Sequence, residues 1–315
     1  MSAMHGNNSK LDRVIARFQK RIEEANYYEA HQTLRTIANR YVNSKSYPDA
    51  VQLITHGARA FLTAKQGGEG TDLIFYLLEV YDLAAIAVDD TSVARLIQLL
   101  VLVEPQEPNL KDVATGMNNW SVKFGDCKFG DAHLHNAIAS KLLEAGMVYE
   151  AERYFMLGTA ESRGKYVSLL WNWFSQSIED DKKDSSSIAG NFLSRLIFNY
   201  LFILNINFAV KSRDEFVGQL VANCPQLESE VLEKGETFKM WYFPQIPELN
   251  FLQLLLLACQ TKDKTLFLKL KEQYKDASSK FQSQLEFLGQ EYFGIIAPRQ
   301  SNLLQDMMSG LLGGK

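Results

Sequence analysis

The stretch NYYEAHQTL, residues 26–34, decides the fold, because its Tyr28-Glu29-Ala30 has two echoes. KSYPDAVQL follows at 45–53 and MVYEAERYF at 147–155. Each puts a Tyr at the start of an apolar, helix-spaced segment, with an acid and then an Ala just behind it. An aromatic near a turn suits the gap between helix ends, and an Ala within a turn of it lets two backbones approach closely. The acid favours the positive N-terminal end of its helix. The same helix opening, repeated, predicts a stack of similar helices.

Working outward, helix signals dominate. Leu11, Val14, Ile15, Phe18 and Ile22 fall on one helical stripe, with Lys10, Arg13, Arg17 and Arg21 running beside them. Tyr27, Ala30, Leu34, Ile37, Ala38 and Tyr41 repeat the pattern. So do Val51, Ile54, Ala58, Phe61 and Leu62, behind a Pro48 suited to a first helical turn. GGEG (67–70) reads as the end of that helix, and Thr71 as the N-cap of the next. DDTSVARLIQLLVLV then opens on cap-type residues and stops at EPQEP. Helical patterns follow over 109–124, 131–145, 147–157, 161–176, 188–209, 212–223, 250–262, 264–276 and 279–294, with a polar loop at 178–187.

One stretch departs from this. In TFKMWYFPQIPEL (237–249), Phe238, Met240 and Tyr242 alternate with Lys239, Trp241 and Phe243, and two prolines follow. A period of two predicts a β-hairpin-like insertion near 237–247. No parallel sheet, and so no nucleotide-binding βαβ unit, can be drawn.

Helices of 12–18 residues joined by short turns pack as antiparallel neighbours. The expected fold is therefore all-α: a tetratricopeptide-like α-solenoid of stacked helix pairs, stabilised by neighbour contacts. The echoes are 19 residues apart and then widely separated, which predicts a degenerate array. Two helical halves are expected, 1–148 and 149–315, with a flexible tail from about Gln300 that includes Met307, Met308, Leu311 and Leu312.

Composition fits a globular chain: 46% hydrophobic and 22% charged over 315 residues. Cys127, Cys224 and Cys259 stand far apart with no CxxC, which suits a reduced, cytoplasmic protein and no zinc module. MSAMHGNNSK lacks a signal-peptide core, and FLSRLIFNYLFILNINFAV (192–210) is broken by Arg195 and several Asn, so secretion and membrane insertion are not expected. Charge is polarised. Residues 1–60 carry nine Lys/Arg against five Asp/Glu, and residues 69–112 two against nine. That suits a partner of mixed charge better than nucleic acid, which wants a sustained basic face.

No catalytic constellation emerges, and no enzyme activity or cofactor is expected. His133 and His135 sit near Asp126 and Cys127, yet side chains two apart on a helix diverge by about 200° and do not converge on one metal ion. One surface His and one packed His is the plainer reading. AKQGGEGTD is glycine-rich and precedes a helix but lacks the strand and the Lys-Ser/Thr of a phosphate loop. His31 and His56 each stand alone in helical segments, where packing explains them.

Several longer strings carry a resemblance. YYEAHQTLRTIANRY (27–41), AKQGGEGTDLIFYLLEVYDLA (64–84), PNLKDVATGMNNWS (108–121), VYEAERYFMLGT (148–159), LNFLQLLLLACQTKD (249–263), LEFLGQEYFGIIAP (285–298) and NLLQDMMSGLLGG (302–314) closely resemble the fungal guided-entry-of-tail-anchored-proteins factor four family. Its animal counterpart is a subunit of the transmembrane recognition complex. The likeness runs from near residue 10 through the rest of the chain. It implies an adaptor, with the N-terminal half on a dimeric ATPase that carries tail-anchored membrane proteins to the endoplasmic reticulum. The C-terminal half would hold a ubiquitin-like-domain protein (guided-entry factor five), which recruits a co-chaperone. The adaptor would favour the ATP-loaded ATPase and restrain hydrolysis until the client is handed over.

By the same resemblance, Arg13, Arg17, Tyr27, Asp72 and Glu79 match the ATPase-facing surface, while Asn43 stands where the family pattern has a basic residue. Asp72, Glu79 and Asp82 share a helix face at spacings of seven and three. The plain alternatives are a solvated stripe for the arginines, first-turn capping for Asp72 and core packing for Tyr27. For the second partner, Met240, Trp241 and Phe243 in the insertion and Leu249, Phe251 and Leu252 at the next helix start are the candidates, with core capping as the alternative.

Overall fold

The computed structural model describes residues 2–179, 184–234 and 238–295, so the tail from Gln300 lies outside the described residues. The chain divides into two compact units, Met1–Thr159 and Ala160–Lys315. Among the described residues, all of the regular structure but one short hairpin is helical. The all-α expectation is borne out.

The first unit holds α1 (Ser2–Glu23), α2 (Tyr27–Asn43), α3 (Tyr47–Thr63) and α4 (Gly67–Leu83). Then come α5 (Asp90–Leu102), α6 (Leu110–Phe124), α7 (Ala132–Glu144) and α8 (Val148–Leu157). Sequence neighbours pair, as α2 with α3, α3 with α4 and α7 with α8. The boundary read at 148 thus falls inside the α7–α8 pair. Alternate helices also pack, α1 on α3 on α5 on α7 and α4 on α6, which makes two layers.

The array is more regular at its start than the echoes suggested. Ala25, Lys45, Lys65 and Ala85 are left-handed, with φ of 59°, 58°, 60° and 48°, one at each turn and twenty residues apart. After each, the next amide donates back five positions, from Asn26 to Arg21, Ser46 to Tyr41, Gln66 to Phe61 and Ile86 to Tyr81, at 2.8–2.9 Å. This closes the last turn of each helix and aims the chain into the next one. No glycine marks these turns, although the conformation costs a residue with a Cβ about 1–2 kcal/mol.

Small residues keep the same step. Ala30, Ala50 and Gly70 are buried four residues into their helices. A Cβ on Gly70 would lie 2.5 Å from Leu62 Cδ2, so this position needs glycine where the earlier ones tolerate Ala. That corrects the reading of GGEG: it opens α4 and does not end α3. Thr71 is an internal residue of α4 whose Oγ1 donates to Gly67 O at 2.9 Å, and it is not the N-cap. The role given to the echoed tyrosines also changes. Tyr28 and Tyr149 are 76% and 75% exposed. The half-buried Tyr27 packs its ring on Phe61, centroids 6.5 Å apart.

The second unit holds α9 (Ala160–Glu179), α10 (Ser185–Phe202) and α11 (Ile206–Asn223). The hairpin β1 (Glu230–Lys234) and β2 (Phe238–Tyr242) follows, then α12 (Pro247–Thr261), α13 (Lys264–Gln273), α14 (Lys275–Lys280) and α15 (Gln282–Phe293). The break between α10 and α11 comes at left-handed Leu204, φ 61°, earlier than the pattern placed it. Apolar residues run straight through this turn, so periodicity does not register it; Asn205 caps α11 by accepting from Phe208 N at 3.1 Å. Only the second hairpin strand was legible. EVLEK carries too few apolar residues to announce β1, which pairs antiparallel with Glu230 opposite Tyr242 and Leu232 opposite Met240.

Candidate functional site

In the first unit the structure builds a polar cluster around Asp72. Asp72 Oδ2 accepts from Arg35 Nη1 at 2.6 Å and lies 2.8 Å from His31 Nε2. The Arg35 guanidinium also covers the Tyr76 ring, 4.8 Å from its centroid, and the Tyr76 hydroxyl bonds the Asn39 side chain. Burial, opposed by Arg35, raises the Tyr76 pKa. Arg35 is thus gripped between a carboxylate and an aromatic face, which fixes two long side chains in advance of any partner. Both contacts fall on Oδ2, leaving Oδ1 of a carboxylate that is 42% exposed for a further donor.

Phe75 and Glu79 are exposed further along α4, and Asp82 bonds Lys123 of α6. Asp72 and Glu79 therefore share an exposed face with an aromatic between them. Arg13 and Arg17 are exposed on α1, and half-buried Tyr27 opens α2. Helix α1 packs on α2 and α3, whereas α4 packs on α3 and α6. The basic and acidic groups sit in different layers, with α2 contributing His31 and Arg35 to the acidic one. Asn43 is exposed at the end of α2.

In the second unit the hairpin is fixed to α12 by two buried amides. Asn250 Nδ2 donates to Phe243 O at 2.8 Å and its Oδ1 accepts from Phe243 N at 2.9 Å. Gln253 does the same for Trp241, at 2.8 and 3.2 Å. A side-chain amide carries one donor and one acceptor face, so each completes the backbone of an edge strand as another strand would. Glu233 and Lys239 pair across the strands at 3.0 Å.

Five of the six residues expected to meet the second partner offer it no surface. Met240, Phe243, Leu249, Phe251 and Leu252 are buried in the unit, because α12 presents its apolar side to α10, α11 and the hairpin. Trp241 alone of the six is partly open. Val231 and Leu232 of β1, 40% and 42% exposed, are the apolar groups sequence reasoning missed. A cavity of about 360 Å³ lies beside Trp241, between α11 and α12, with Arg213, Asp214, Lys239 and Gln260 on its walls.

A model of the Golgi to ER traffic protein 4 family matches residues 44–312. This chain belongs to that family. The family relative from Aspergillus fumigatus is 34% identical over 97% of this chain and 91% of its own. That from Schizosaccharomyces pombe is 32% identical over 96% of each. The human homolog is 26% identical over 99% of this chain and 90% of its own. A crystal structure of C. therm. Get4 superposes with a TM-score of 0.83 at 33% identity, covering 97% of this chain and 96% of that one.

In this member of the Golgi to ER traffic protein 4 family, His133 is exposed and His135 buried, as the sequence suggested. Burial lowers the His135 pKa, and its ring nitrogens meet Leu157 O at 3.2 Å and the Asn118 side chain at 2.8 Å. Among the described residues no group of three or more His, Cys, Asp or Glu is placed to hold a metal ion. None of their helices is long and apolar enough to cross a membrane. All three cysteines are free, and burial pushes the Cys259 thiol up to about 12.

Proposed function

We propose that this chain works in Golgi to ER traffic as a non-enzymatic cytoplasmic adaptor for tail-anchored membrane proteins. Its first unit docks a dimeric targeting ATPase, and its second unit holds a ubiquitin-like-domain protein that brings a co-chaperone. The adaptor favours the ATP-bound ATPase and hands it the client.

The observation that carries this reading is the Asp72 cluster. A carboxylate oriented by His31 and Arg35, with Oδ1 uncommitted, is a pre-organised acceptor for a basic side chain of a partner. Glu79 extends the acidic face, while Arg13 and Arg17 supply charge of the other sign, with Tyr27 as a half-buried aromatic anchor. Charges of this kind set orientation and association rate more than raw affinity. In the second unit Trp241, Val231 and Leu232 are the contact groups. Met240, Phe243, Leu249, Phe251 and Leu252 are the base that holds them. The family membership supports the assignment to traffic.

Size-exclusion chromatography with light scattering, using the ATP-loaded ATPase and the ubiquitin-like protein together, tests the bridge. One species containing all three proteins is expected. Trp241→Ala combined with Leu232→Asp should release the ubiquitin-like protein and keep the ATPase. Mutual exclusion of the two partners would refute the adaptor reading.

A further inference from the structure

Among the described residues, six that are not glycine have left-handed backbone. Five of them, Ala25, Lys45, Lys65, Ala85 and Lys262, are exposed alanines or lysines, side chains that suit a wet turn. The sixth is Leu204, between α10 and α11, and it is 52% exposed. A leucine there carries the steric cost of its Cβ and forgoes the burial that would offset it.

Leu204 does not stand alone. Ile203 and Ile206 beside it are half-buried, as are Phe202 at the end of α10 and Phe287 of α15. The two phenylalanine rings meet edge-on, centroids 5.1 Å apart. The Tyr292 hydroxyl donates to Leu201 O at 2.9 Å, which brings the last turn of α15 to the last turn of α10. The second unit therefore carries an apolar corner where these helices end. Single exposed leucines are ordinary, but a contiguous apolar patch marks a contact. A helical stack also needs a cap on its last layer.

The chain itself supplies the cover. Tyr292 sits at this corner, and the described residues stop three positions later, at Ile295. Twenty residues follow, 296–315. In that sequence Leu303, Leu304, Met307, Met308, Leu311 and Leu312 repeat at a spacing of four, with Gln305, Asp306 and Ser309 between them. This is the pattern of one apolar helix stripe. Ten residues that include Gly310 are too few to hold a helix alone in water, so the stripe is of use only against a surface. Residues 296–302 can span up to about 23 Å when extended, which lets the stripe return to the residues beside Tyr292. The two methionines adapt readily to a surface of aromatic rings.

We propose that residues 303–312 fold back as an amphipathic helix onto the corner made by Phe202, Leu204, Ile206 and Phe287, and cap the second unit. The occupant is this chain's own tail, so the proposal does not rest on the adaptor reading.

Hydrogen–deuterium exchange on the full chain tests it. Amides of 303–312 are expected to exchange at least tenfold more slowly than the same sequence as a free peptide. Leu204→Asp should return them to the free-peptide rate. Aspartate accepts left-handed backbone and the position is exposed, so the unit stays folded, as circular dichroism would show. Leu304→Asp alters only the tail; it should release 303–312 to the same degree and also speed exchange at 203–206. Tail amides that exchange at the free-peptide rate in wild type would overturn the proposal, as would protection that survives either substitution. Protection lost on hundredfold dilution would overturn it as well, by giving the corner to the tail of a second copy.

Discussion

The two units solve the same problem, stacking helices, by different means. In the first, four turns twenty residues apart share one backbone shape, and ion pairs or hydrogen bonds link residues 37–41 apart: His31 and Arg35 with Asp72, Arg59 with Gln98, Lys111 with Glu150. In the second, an inserted hairpin has no counterpart and is held by two amides, Asn250 and Gln253. A repeat spreads its stability over many equivalent small contacts. An insertion concentrates it in a few irreplaceable ones.

That contrast predicts where single changes hurt most. Asn250→Ala should cost about 1–3 kcal/mol, since it orphans the buried N–H of Phe243 and leaves its C=O only the bond from Ile246 N at 3.2 Å. Urea unfolding should show the loss, and tryptophan fluorescence should report a loosened Trp241. A cost under about 0.5 kcal/mol would mean the hairpin is fixed by its apolar face alone. In the repeat, Gly70→Ala should cost about 1–3 kcal/mol despite a better helix propensity, because its Cβ would meet Leu62 Cδ2 at 2.5 Å and Cγ at 2.6 Å. Gly68→Ala, with nothing within 4 Å, should instead gain about 0.5–1 kcal/mol. If both glycines respond alike, close packing at the twenty-residue step is not what selects Gly70.

Smaller effects sharpen the picture of the turns. Lys45→Gly relieves a left-handed residue but adds backbone entropy to the unfolded chain, so a net gain of about 0.5 kcal/mol is expected. Last comes pH. Burial holds the folded pKa of His135 below its ordinary 6.5, so protons bind the unfolded chain first as pH falls. His135 therefore contributes stability above about pH 6.5 that is lost progressively below it. The difference in unfolding free energy between pH 7.5 and 5.5 should be smaller in His135→Gln than in wild type, and an equal difference would place the titration elsewhere.

Much of this architecture was legible in the chain. Helical stripes such as Leu11–Phe18–Ile22 and Val51–Ile54–Ala58–Phe61 gave the helices, because a buried face imposes its period on the sequence. The turns were harder. Lys45 and Lys65 carry no glycine signature, and GGEG mimics a helix end when it is the start of one. The candidate sites divide the same way. Asp72 and Glu79 could be placed on one helix face, but the partners of Asp72 come from a helix some forty residues earlier. Local spacing does not show that, although a twenty-residue period, once seen, pairs position 31 with 71 and 35 with 75. In the second unit, burial turned five expected contact residues into scaffold. An apolar run looks the same in sequence whether it faces a partner or the core, and only the pairing of β1 with β2 separates Trp241 from its neighbours.

The central claim is that the face built on Asp72 docks a nucleotide-loaded ATPase. Isothermal titration of the full chain into the targeting ATPase, using a hydrolysis-dead form with ATP and the same form without nucleotide, tests it most directly. Wild type and Asp72→Lys would be run side by side. Binding in the ATP state that the substitution weakens at least tenfold, with the folded state of the variant unchanged by circular dichroism, is the predicted result. Equal binding by the two chains, or no binding by wild type in either state, would contradict it.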